Sequence, residues 1–68
     1  MKTLRVGKFP GRIDEVMVED NATVAEVLEV AELDAGGYEI QLDGNVVQQD
    51  KAIGEGKLLI LAKQVKGA

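Results

Sequence analysis

The chain has 68 residues, a formal net charge of −4 and 46% hydrophobic residues, with Phe9 and Tyr38 as its only aromatics. That length allows one small domain burying about 60% of the surface its unfolded chain exposes, around a core that Val, Leu and Ile must fill. The sequence holds no Cys, His, Ser or Trp, which excludes disulfides, thiolate ligands, the usual neutral-pH base and two common nucleophiles, and the acidic balance argues against nucleic acid as a partner.

From the N-terminus, "TLRVGKF" and "DEVMV" read as two strands joined around "FPGR". Pro10 suits the first corner of a turn there, and Gly11 the second. Neither Gly7 nor Gly11 sits in the glycine-rich run leading into a helix that a phosphate loop requires. The opening segment has no apolar stretch of signal-peptide length, and no run approaches the roughly 20 residues that span a bilayer. The expectation is a soluble, cytoplasmic protein, monomeric when free, without membrane contact.

"DNATVAEVLEVAEL" follows. Thr23 and Glu26 have capping-box spacing, and Val24, Val27, Leu28 and Ala31 share one helical face, which predicts a short amphipathic helix. Glu26, Glu29 and Glu32 are spaced as a water-facing row and not as cation ligands, so no metal site is expected. Gly36 and Gly37 are placed to stop the helix. Tyr38, Ile40 and Leu42 then alternate with polar residues before Asp43-Gly44, a favoured type I′ turn, and a second hairpin is expected.

The closing segment "EGKLLILAKQV" carries Leu58 to Ala62 as an unbroken apolar run. Strand residues alternate faces, so such a run predicts burial on both sides or an apolar patch open on one. Two outcomes stay open: the loop from 48 to 56 folds over these side chains, or some of them face solvent or a partner. The element order ββαβββ predicts an α+β β-grasp (ubiquitin-like) domain over residues 1–68. In it a mixed sheet of four to five strands packs on one helix, the first and last strands lie parallel in the middle, and residues 65–68 form a flexible tail.

Charge is segregated along the chain. Lys2, Arg5, Lys8 and Arg12 crowd the start and Lys57, Lys63 and Lys66 the end, whereas Ile13 to Asp50 contains acids and no base. Adjacent first and last strands would gather the bases into one region. Arg5, Lys8, Leu59, Leu61 and Lys63 are the expected partner-binding face.

Three stretches, "TVAEVLE", "IQLDGNVV" and "EGKLLILAKQVKGA", resemble the ubiquitin-like sulfur-carrier family of thiamine and molybdopterin biosynthesis from Thr23 to Ala68. The third is the most specific, since it matches a turn, an apolar strand and a terminal tail at the same spacing. The resemblance implies a protein that is itself a reagent and not an enzyme, without a cofactor. An adenylating partner of the ubiquitin-activating type would activate its C-terminal carboxylate, which sulfur then converts to a thiocarboxylate. Lys66, Gly67 and Ala68 correspond to the carrier tail. Two positions depart from the family pattern: Lys57 replaces an acid after Glu55-Gly56, and the final pair is Gly67-Ala68 in place of two glycines. A misplacement of about 1 Å at a reacting centre can cost ~100-fold in rate, so a second function stands beside the first, that of an interaction module that keeps the fold without the tail chemistry.

Overall fold

The computed structural model describes residues 1–63. Six elements follow in the expected order: β1 (Lys2–Phe9), β2 (Ile13–Val18), α1 (Val24–Val30), β3 (Tyr38–Leu42), β4 (Asn45–Val46) and β5 (Leu58–Lys63). The strands form one mixed sheet of order β2-β1-β5-β3-β4, with β1 parallel to β5 and the other pairs antiparallel. The expected tail, Lys66 to Ala68, lies outside the described residues. No helix among the described residues is long and apolar enough to cross a membrane.

The core lies between one face of the sheet and α1. Val6 sits beside Leu59, and Leu59 and Leu61 sit beside Leu42 and Ile40 on their other flank. Leu4, Val6, Leu59 and Leu61 are buried, with Val24, Val27 and Leu28 of α1 packed among them. Full burial of one such aliphatic side chain contributes about 1.5–3 kcal/mol, so the two β5 leucines form a large share of what holds a domain this small together.

Local sequence starts the helix as expected. The Thr23 N–H donates to Glu26 Oε1 at 2.9 Å, and the Glu26 N–H donates back to Thr23 Oγ1 at 3.3 Å, completing the capping box. Seven residues with three valines make a helix that cannot persist alone, and the buried stripe supplies what propensity does not.

The helix does not stop at Gly36-Gly37. It ends at Ala31, with Glu32 in the left-handed region at φ 57°. The Leu33 N–H donates to Leu28 O at 2.9 Å and the Glu32 N–H to Glu29 O at 3.1 Å, the bond pair of a Schellman ending. Leu28 is in the core and Leu33 packs against it. That apolar closure and the two bonds hold a glutamate where glycine is the usual occupant. Gly37 (φ 78°) instead turns the chain into β3, where the Tyr38 N–H donates to Ala35 O at 2.9 Å.

The β3–β4 turn has the expected type I′ form, with Asp43 at φ 52° and Gly44 at φ 87°. The loop after β4 is tied to the start of α1. Val24 and Ala25 N–H groups donate to Lys51 O (2.8 Å) and Gln49 O (2.9 Å), the Ile53 N–H donates to Ala22 O (2.9 Å), and Ile53 is buried in the core. This loop therefore closes the helix side and leaves the opposite sheet face uncovered.

A left-handed conformation costs a residue bearing a Cβ about 1–2 kcal/mol, part of which glycine returns through its looser unfolded chain. Glu32→Gly is therefore expected to stabilise the protein by about 1 kcal/mol, a rise of about 4–8 °C in Tm for a domain of this size. Thermal unfolding followed by circular dichroism checks it, and an unchanged or lower Tm would mean that the Schellman bonds do not set the helix end.

Candidate functional site: the open sheet face and the end of the last strand

The register of β1 and β5 decides which side chains reach the open face. Arg5 lies beside Leu58, Gly7 beside Ile60 and Phe9 beside Ala62. On the far flank of β5, Gln41 lies beside Ile60 and Glu39 beside Ala62. Across β1, Met17, Glu15 and Ile13 of β2 stand opposite Thr3, Arg5 and Gly7. The face therefore has rows running across the strands: Glu15, Arg5 and Leu58 in one, and Ile13, Gly7, Ile60, Gln41 and Val46 in the next. Phe9 is 62% exposed, Met17 59% and Val46 62%, while Leu58, Ile60 and Ala62 are half-buried. A largely apolar surface results, carrying Arg5 and Glu15 in one row and Glu39 in another.

Several contacts fix that register. Asp43 Oδ1 accepts from the N–H groups of Lys57 and Leu58, both at 3.0 Å, and the Asp43 N–H donates to Leu58 O at 2.8 Å. The side chain of the β3–β4 turn thus holds the first residues of β5. From the other flank, Lys2 Nζ donates to the carbonyls of Gly54 and Gly56, each at 2.8 Å. Gly56 is buried, and a Cβ there would lie 2.6 Å from Leu42 Cδ1. Gly7 is constrained in the same way, because a Cβ would collide with the Arg12 carbonyl and stand 2.7 Å from Ile13 Cα. At Gly7 the backbone of Arg12 and Ile13, and at Gly56 the Ile53 carbonyl oxygen at 2.9 Å, come too close for a Cβ.

The expected partner-binding face does not exist as one surface. Arg5 is exposed on the open face, but Leu59 and Leu61 are fully buried beneath the helix, each with 0% exposure. The apolar residues of β5 that reach the open face are Leu58, Ile60 and Ala62. A one-residue difference in parity moves a side chain through the sheet, and an unbroken apolar run carries no mark of which parity is which. The missing signal lay in β1, where Arg5 and Gly7 alternate with apolar Leu4 and Val6, combined with a register that sequence alone does not supply.

Lys8 and Lys63 share the core-side parity of Leu59 and Leu61, beyond the end of the core. Lys63 stands opposite Tyr38, and Lys8 reaches across β5 to place Nζ 4.8 Å from the centroid of the Tyr38 ring, within the range of a cation–π contact. The sheet thus ends, where β5 leaves it, in Lys8, Lys63 and two aromatic rings, Phe9 on one face and Tyr38 on the other. A separate groove of about 980 Å³ runs between the β4 hairpin and the following loop, lined in part by Asp43, Val46, Lys51 and Glu55. Its Asp43 carboxylate is already engaged by the start of β5.

No family model and no curated protein matches this sequence. Among solved structures, SAMP1 from Haloferax volcanii superposes with a TM-score of 0.75 at 19% identity, over 98% of this chain and 100% of that one. A ubiquitin from Caldiarchaeum subterraneum superposes with a TM-score of 0.64 at 17% identity, over 97% of this chain and 96% of that one. The fold is the ubiquitin-like β-grasp. At these identities the likeness carries the fold alone, and the side chains of the open face must be argued from their own chemistry.

The two parities of β5 in this β-grasp are expected to separate by mutation. Leu61→Ala removes a fully buried side chain and should cost about 2–5 kcal/mol, a large fraction of the ~3–10 kcal/mol available to a chain of this length. Ile60→Ser, on the half-buried open face, should cost about 1 kcal/mol or less beyond its lost area. Urea unfolding of both variants checks the assignment, and equal losses would contradict the register.

Proposed function

We propose that this chain is a carrier-type ubiquitin-like protein that acts as the substrate of an adenylating partner. Lys66, Gly67 and Ala68 form the tail that enters the partner's active site. The body docks through the open face around Arg5, Leu58, Ile60 and Ala62, with Lys8 and Lys63 at the rim where β5 ends. The observation that supports this reading is the central position of β5. A strand paired on both flanks and packed beneath a helix anchors whatever follows Lys63 to the most rigid part of the domain. Sequence motifs add the spacing between the Glu55-Gly56 turn and the tail, which is that of the sulfur-carrier family.

The chemistry belongs to the partner. A terminal carboxylate oxygen attacks the α-phosphorus of ATP and releases pyrophosphate, and a sulfur nucleophile then displaces AMP from the acyl adenylate. The chain's own contribution is positional, through a narrow tail on a fixed platform, and binding energy from the remote docking face serves to orient the reacting carboxylate.

A second reading rests on Ala68 and on the open face itself. A largely apolar surface carrying Arg5 and Glu15 in one row and Glu39 in another binds a protein partner whether or not the tail reacts, so the same body serves as an interaction module.

Incubating a chain ending at Ala68, and its Ala68→Gly variant, with a ubiquitin-activating-type enzyme and ATP is expected to give an acyl adenylate or, with a sulfur donor, a thiocarboxylate by intact mass. A reacting glycine variant beside an inert Ala68 chain would reject the carrier reading in favour of the module. Removing Gly67 and Ala68 separates the two further, since a module keeps its partner affinity and a carrier loses turnover. Arg5→Glu is expected to weaken docking under either reading by about tenfold, the effect of about 1.4 kcal/mol.

A further inference from the structure

The sheet has two edges of unequal length. At one end β4 offers two residues, while at the other β2 offers six, Ile13–Val18, paired with β1 on one side only. Alternate residues of β2 therefore turn their N–H and C=O groups away from β1, a template for another strand. No proline or lysine interrupts it. Ile13 and Met17 stand exposed on the open-face side of this edge, and Val16 is half-buried on the helix side, so a strand laid along it would find apolar contacts on both faces.

The charge of this edge selects among occupants. Asp14 and Glu15 lie within β2, and Glu19 and Asp20 follow it directly. Arg12 Nε pairs with Asp14 at 3.1 Å and the N-terminal amine lies 3.7 Å from Asp20, but among the described residues Glu15 and Glu19 have no ion pair. Residues 12–20 carry four carboxylates and one base, Arg12, so a second copy laid edge to edge would bring two net-negative edges together and be opposed. An extended segment alternating bases with apolar residues meets opposite charge and apolar contact together.

We propose that the outer edge of β2 is a strand-addition site for an extended basic and apolar segment of a partner protein. The main-chain ladder supplies affinity, Ile13, Val16 and Met17 select apolar residues, and Glu15 and Glu19 select lysine or arginine. This site does not depend on the tail and stands whether the carrier or the module reading holds.

The test titrates the isotope-labelled full chain with a seven-residue peptide alternating Lys or Arg with Val, blocked at both ends. Amide shift changes and slowed hydrogen exchange are expected across Ile13–Val18. Three controls bear on the proposal. The same peptide N-methylated on alternate residues of its bonding edge is expected to lose binding at least tenfold, the cost of about 1.4 kcal/mol in ladder bonds. A Glu-for-Lys/Arg peptide is expected not to bind. The double variant Glu15→Lys, Glu19→Lys, which alters only exposed side chains and is checked as folded by its amide spectrum, is expected to bind the basic peptide about tenfold more weakly. Shift changes centred on β5 or on the 48–56 loop, equal binding of the acidic and basic peptides, or indifference to N-methylation would overturn the proposal. So would dimerisation through β2 without peptide, which would make a second copy the occupant.

Discussion

Everything in this domain depends on one long-range pairing, the parallel contact of β1 with β5. It joins the two ends of the described chain, and each of the remaining elements leans on it. The short helix has no independent stability and survives because Leu59, Leu61, Leu4 and Val6 offer it an apolar floor. The loop before β5 is held by Lys2, which is within reach of the Gly54 and Gly56 carbonyls only once β1 has docked. Asp43 grips the start of β5 from the opposite flank. The contact must form against the entropy of closing a loop of about fifty residues, a cost that grows slowly with length. It is repaid by apolar burial on both flanks of a strand that has no edge.

The same pairing sorts chemistry from structure. In an unbroken run from Leu58 to Ala62, the intrinsic properties of neighbours are almost interchangeable, yet Leu59 and Leu61 carry the core while Leu58 and Ile60 meet solvent. Only the register distinguishes them, and the register is fixed by contacts outside the run: the Asp43 acceptor, the Lys2 clamp, and two glycines whose backbones are too closely approached to bear a Cβ. Specificity of the surface is therefore a by-product of how the core is locked. A slip by one residue would exchange the inner and outer sets and put Leu59 and Leu61 in water.

This explains which parts were legible in the amino-acid sequence. Features written by contiguous residues were read correctly: the Thr23–Glu26 capping box, the Val24, Val27, Leu28 stripe, the Asp43-Gly44 turn and the order of the elements. Gly36-Gly37 misled because a helix stop is ordinarily marked by the residue that tolerates positive φ, whereas here the apolar contact of Leu33 with the core containing Leu28 imposes that conformation on Glu32. The assignment of Leu59 and Leu61 to a binding face failed for a different reason. Parity in a continuous apolar strand is a tertiary property, and nothing within the run from Leu58 to Ala62 marks which side chains face the helix. Arg5 is exposed on the open face, where the visible alternation of apolar and polar residues along β1 puts it.

Topology also turns a one-dimensional charge pattern into a spatial one. The basic residues lie near the two ends of the chain, and the β-grasp brings those ends together in the centre of the sheet, so Arg5, Lys8, Lys57 and Lys63 gather around the β1–β5 pair. The acids between Ile13 and Asp50 fall mostly outside that pair, on the outer strand β2, the exposed side of α1 and the loops, with Glu39 of β3 beside Ala62 as the exception. Neighbouring strands lie about 4.8 Å apart, inside the roughly 8–10 Å over which charges interact at physiological ionic strength, so what distinguishes the two surfaces is the groups they present, side chains on the open face and main-chain donors and acceptors along the β2 edge. A basic segment adding to β2 need not neutralise Lys8 and Lys63 or cover Leu58 and Ile60, and a partner seated on the open face leaves the main-chain groups of the β2 edge free. The two surfaces meet at Ile13, Glu15 and Met17, which project from β2 onto the open face, and competition between two partners would be felt at those three side chains first.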